Sequence, residues 1–115
     1  METPKIGHAP IKMRRVRDNV KRDNVNIMSE LEKPGDFYWV VDRDGLRSLV
    51  LALPSNWPEH LGQKRLYSRW TIAHKNHCGA SWDWNGDEDR PTLSPSLHQV
   101  GDWHGRVQSG VMIEA

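Results

Sequence analysis

The sequence predicts an all-β fold: a small sandwich or rolled antiparallel sheet of about seven to nine short strands with little helix. Three observations carry this. Apolar residues alternate with polar ones over short stretches, the period of a half-buried strand. Turn signals recur between those stretches at Pro34-Gly35, Asp44-Gly45, Asn85-Gly86 and Ser109-Gly110. No long stretch shows the 3.6-residue apolar period of an amphipathic helix.

Taken in order, residues 1–10 read as an extended tail with Pro4 and Pro10. Arg-Asp-Asn-Val stands at 17–20 and again at 22–25, a period of five that suits neither strand nor helix. Ile11 and Met13, then Val25 and Ile27, alternate with polar residues and suggest two short strands. "DFYWVV" is rich in aromatic and β-branched types, hence a strand. Asp44-Gly45 predicts a type I′ hairpin into "LRSLVLAL", whose apolar run implies burial on both faces. Residues 54–65 read as a loop with one helical turn, capped by Ser55 or Asn56 ahead of Pro58. "LYSRWTIA" places Leu66, Ser68, Trp70 and Ile72 on one face. "ASWDW" places Ala80, Trp82 and Trp84 on one face and Asp83 on the other. Asn85-Gly86 reads as a further hairpin turn. Pro95 restricts "TLSPSL" to a sheet edge or a bulge. "WHGRVQ" and "VMIE" close the chain as a hairpin through Ser109-Gly110.

The chain has 115 residues, enough for one domain with a modest core. Residues 1–25 hold seven Lys/Arg against three Asp/Glu, whereas residues 26–115 hold nine against twelve. A basic N-terminal segment, 1–25, therefore precedes a mildly acidic β-domain, 26–115. Six Trp against one Phe and two Tyr make tryptophan the main core filler. No apolar run approaches the ~18 residues of a membrane span. A single cysteine, Cys78, and no apolar leader predict a cytoplasmic setting without disulfides.

Candidates for chemistry gather late in the chain. His74, His77, Cys78, His98 and His104 are the residues that a metal site would draw on, but four ligands at paired spacings are lacking, so no metal and no cofactor is expected. Asp83, Asn85, Asp87, Glu88 and Asp89 resemble part of a calcium loop without its terminal bidentate Glu. Thr92, Ser94 and Ser96 supply hydroxyls, His98 and His104 potential bases, and Asp83 or Asp102 an orienting carboxylate. No Gly-x-Ser-x-Gly elbow frames them. Hydroxyls beside proline commonly pin turns instead, so no catalytic residue is expected.

"WDWNGDEDRPTLSPSL", followed by "WHGRVQSG" and preceded by "KPGDFYWV", resembles a family of small phage and prophage proteins of unassigned function. The resemblance covers residues 33–115. Some relatives look like metal-ribbon proteins, and their metal cysteines are absent here. The resemblance implies a non-catalytic, phage-encoded protein that binds a host protein in the bacterial cytoplasm, including as an inhibitor of host defence. Its expected contact residues are Lys12, Arg14, Arg15, Arg17, Lys21 and Arg22 of the basic segment, with Asp83, Asp87, Glu88, Asp89 and His104. Two other readings compete: a nucleic-acid-binding accessory protein using the same basic residues, and a metal-dependent hydrolase. An edge strand or the basic segment can also pair two copies.

Overall fold

Phe37, Tyr38, Trp39 and Val40 follow one another without a polar break, and all four are buried. A strand can bury consecutive residues only if both of its faces are covered. The computed structural model describes residues 9–21, 30–54, 67–75, 77–99 and 103–115, and it shows how that cover is built. Among these residues there are nine strands and no helix: β1 (Ile11–Lys12), β2 (Arg14–Arg15), β3 (Asp36–Val41), β4 (Arg47–Ala52), β5 (Tyr67–Thr71), β6 (Asp83–Trp84), β7 (Leu93–Gln99), β8 (Trp103–Gln108) and β9 (Val111–Glu114). One sheet has the order β1-β9-β8-β7-β6 and the other β2-β3-β4-β5.

The all-β expectation holds, and the two sheets face each other across the main core. Phe37, Trp39, Leu49, Leu51 and Trp70 of the second sheet meet Leu93, Leu97, Trp103, Val107 and Met112 of the first. Tyr38, Val40, Val50 and Ala52 point the other way and pack with Leu31, Val16 and Val20. Tryptophan is a core filler as expected: Trp39, Trp70 and Trp103 are buried, and Trp82 and Trp84 pack against the core half-buried. Trp57 and the loop at 55–65 lie outside the described residues, as do Val25 and Ile27.

The sheets are joined at both sides, so the sandwich is nearly a closed roll. Buried Met13 is the corner at which the chain leaves β1 for β2; its N–H bonds to Gly110 and the next N–H to Gly35. At the opposite side Ile72 and Trp82 form an isolated bridge between the ends of β5 and β6. Such closure leaves little backbone edge exposed. One strand pairing departs from the antiparallel expectation: β2 runs parallel to β3, as do the isolated bridges Val20–Val40 and Ile72–Trp82, and this lays Val16 and Val20 along the second face of β3.

Two turns differ from their predicted type. Between β3 and β4 only Gly45 has positive φ, whereas a type I′ turn needs two such residues. Asp42 accepts the N–H groups of Asp44 and Leu46, and a longer loop results. Asn85-Gly86 likewise opens an extended loop, in which the Asn85 side chain accepts from the N–H groups of Asp87 and Thr92. Ser109-Gly110 does make the tight β8–β9 hairpin, with φ of 49° and 78°.

Gly105 sits where no side chain fits. A Cβ there would clash with both the Ile113 carbonyl and the Trp103 ring. Gly105→Ala should therefore destabilise the fold by about 1–3 kcal/mol or more, read as a lower urea midpoint at unchanged slope.

Candidate functional site

The outer face of the first sheet carries the polar residues that its inner face excludes. Along β8, Trp103, Gly105 and Val107 are buried while His104, Arg106 and Gln108 are exposed. Along β7, Leu93 and Leu97 point inward while Ser94, Ser96 and His98 are exposed. The two strands are out of step between those leucines. Leu93 pairs with Val107 and Leu97 with Gly105, so four steps of β7 answer two of β8. Bulges of this kind re-aim side chains. This one contains Pro95 and Ser96, as the proline predicts.

Ser96 is held at two points. Its carbonyl accepts the Trp82 indole N–H at 3.2 Å, and Trp82 stands edge-on to buried Trp70. Its hydroxyl lies 3.3 Å from His104 Nε2. The ring of His104 stacks on that of His98, with centroids 4.7 Å apart and planes at 30°. His98 and His104 are direct cross-strand partners. The Ala115 N–H bonds to the His104 carbonyl, which therefore points away from β7. The two histidines thus form a non-hydrogen-bonded pair, the arrangement that brings cross-strand side chains closest.

The other candidate residues divide clearly. Thr92 has the structural role expected of it, accepting the Ser109 N–H at 2.8 Å. Asp83 is exposed beside Ser94 across the β6–β7 pair. Asp102 lies outside the described residues. Cys78 is exposed in the connection before β6, and among the described residues no three His, Cys, Asp or Glu side chains are grouped to hold a metal.

The basic segment and the acidic loop meet each other. Arg14 makes paired bonds to buried Asp36, at 3.0 and 2.7 Å, which raise its pKa further above the ordinary arginine value. Arg15 bridges Glu88 and Asp89, and Arg17 pairs with Glu30. Lys12 and Lys21 are exposed, and Arg22 lies outside the described residues. Arg47 pairs with Glu88 at 2.9 Å and lies over the rings of Trp84 and Trp39. Asp87 accepts the N–H groups of Arg90 and Asp89, which lower its pKa. The calcium-like loop is thus folded onto its own backbone and onto neighbouring cations.

Glu88 is the hub of these contacts, meeting Arg15, Asn19 and Arg47. The Asn19 amide, followed by Arg47, holds its carboxyl below the ordinary glutamate value. A carboxylate with a lowered folded-state pKa stabilises the fold fully above its unfolded pKa, about 4.3, and loses that contribution as pH falls through the folded value. Glu88→Gln should therefore flatten the acid limb of stability below about pH 4 while lowering stability at neutral pH, measured by urea midpoints across pH.

Residues 23–115 match the family BubE, described as bacterial ubiquitination-like system serine protease. The chain belongs to the BubE family. No curated protein and no solved structure matches the chain. Membership of BubE overturns the resemblance to phage proteins of unassigned function. It overturns with it the non-catalytic host-binding, anti-defence reading, and the nucleic-acid-binding and metal-hydrolase alternatives. The expectation of no enzyme is likewise corrected, because the BubE family is one of serine proteases. Read singly, Ser96 suggests a turn-pinning hydroxyl and His104 a surface histidine; the register that pairs Leu97 with Gly105 sets the two on one face, 3.3 Å apart. Among the described residues of this BubE-family chain, no helix is long and apolar enough to cross a membrane.

Proposed function

We propose that Ser96 is the nucleophile and His104 the general base of a peptide-hydrolysing site acting in a bacterial ubiquitination-like system. The supporting observation is the 3.3 Å contact between Ser96 Oγ and His104 Nε2 in a chain of a serine-protease family. A serine hydroxyl is a weak nucleophile until an adjacent base takes its proton, and such contacts are often loose before substrate binds. With the imidazole proton on Nδ1, the hydroxyl donates to Nε2. As Oγ attacks the scissile carbonyl carbon, Nε2 takes the hydroxyl proton. The tetrahedral intermediate collapses with that proton passing to the leaving amine, and an acyl ester on Ser96 remains. Water, deprotonated by the same nitrogen, then attacks the ester carbonyl, and the acid is released as Nε2 returns that proton to the departing Ser96 Oγ.

Ser96, His98 and His104 are all exposed. The substrate itself therefore has to cover the dyad and exclude water from it. The partner that this reading calls for is a protein substrate, and a bacterial cytoplasm fits the free Cys78 thiol. A fluorophosphonate, which modifies activated serines, tests the assignment. Peptide mapping should find the adduct on Ser96. An adduct on Ser94 or on no serine would overturn it.

A further inference from the structure

We infer that His98 is a positioning residue for the base, holding the His104 imidazole with Nε2 toward Ser96 through its ring face. The inference rests on the Ser96–His104 reading above. Rotation about the last torsion of a histidine is broad, so the strand backbone alone does not choose the plane of the His104 ring. Something packed against that ring has to choose it. In serine hydrolases at large a hydrogen-bonded carboxylate does so. Here the neighbour across the strand pair is a second imidazole, and it meets His104 face to face at 4.7 Å and not edge to edge.

The register brings the two rings within reach of each other. His104 gives its carbonyl to Ala115 on the β9 side, so the His98–His104 pair is of the close, non-hydrogen-bonded kind. His98 is two residues beyond Ser96 on the same exposed face of β7. Nucleophile, base and stacking ring are therefore held by one strand pair. The contact also has a chemical use. When His104 takes the serine proton it becomes a cation lying over an aromatic face, an arrangement that is attractive. Neither effect draws on the nitrogens of His98. A phenyl ring at this position should supply both, and a flexible amide neither.

The test uses the full chain and the rate at which a fluorophosphonate modifies Ser96, followed by intact mass. His98→Ala and His98→Gln should slow modification about 10- to 100-fold, the penalty of a misaligned base. His98→Phe should recover most of that loss, and thermal midpoints should show all three variants folded. Modification of His98→Ala at the unaltered rate would overturn the role, as would a His98→Phe variant as slow as His98→Ala. If His98→Ala fails to fold, the contrast between Gln and Phe decides the same question. Failure of the unaltered chain to react at Ser96 would overturn the dyad itself, and the role of His98 with it, without reference to any His98 variant.

Discussion

Ser96→Ala is expected to lower the steady hydrolysis of an activated ester such as p-nitrophenyl acetate by about a thousandfold or more, and to abolish its acyl-enzyme burst. The expectation follows from the contact between Ser96 Oγ and His104 Nε2. Without the hydroxyl no ester forms on the protein, and water has to attack directly. His104→Ala should fall by a comparable factor, and the double variant should fall little further, because residues that act as one unit are not additive. Ser94→Ala is the control. Ser94 is exposed on the same strand but pairs with Asp83 on the β6 side. Loss of the burst in Ser94→Ala together with its survival in Ser96→Ala would refute the assignment.

Trp39→Ala should cost about 3–5 kcal/mol, the range for deleting a large buried aromatic. Trp39 is fully buried in the main core, packs against Trp84 at 4.9 Å, and donates its indole N–H to the Glu88 carbonyl at 3.0 Å. The substitution therefore opens a cavity between the sheets and leaves the acidic loop without one of its anchors. A domain of this size has a total stability of roughly 5–15 kcal/mol, so the thermal midpoint should fall by about 10–20 °C. Trp39→Phe should fall less, since it keeps much of the volume and loses the hydrogen bond. A midpoint unchanged in Trp39→Ala would mean that this residue does not join the sheets as described.

Much of the fold was legible because strand period and turn chemistry are local. The alternation of "WHGRVQ", the glycine after Ser109 and the doubly apolar "LRSLVLAL" all took the form that their residue types dictate. Less legible were the loops at Asp44-Gly45 and Asn85-Gly86. There side-chain oxygens of Asp42 and Asn85 bind backbone N–H groups and stretch what a dipeptide rule reads as tight hairpins. Ion pairing across long separations was also hidden: Arg15 and Glu88 lie 73 residues apart. The site was visible only as parts. Both Ser96 and His104 were candidates for nucleophile and base, yet regular pairing gave no reason to join them. Their meeting depends on the register of β7 against β8, which, like the count of residues on either side of the bulge, no composition or spacing reveals.

That count has a consequence for how the protein tolerates insertions and deletions. The surplus on β7 is two residues, an even number, so Leu93 and Leu97 both still face the core. Loss or gain of a single residue in this stretch would invert every later side chain of the strand, turning Ser96 or His98 inward and a leucine out to water. Length variants at this site should therefore survive only in steps of two. The proposed nucleophile can therefore drift along the strand but cannot cross to its other face.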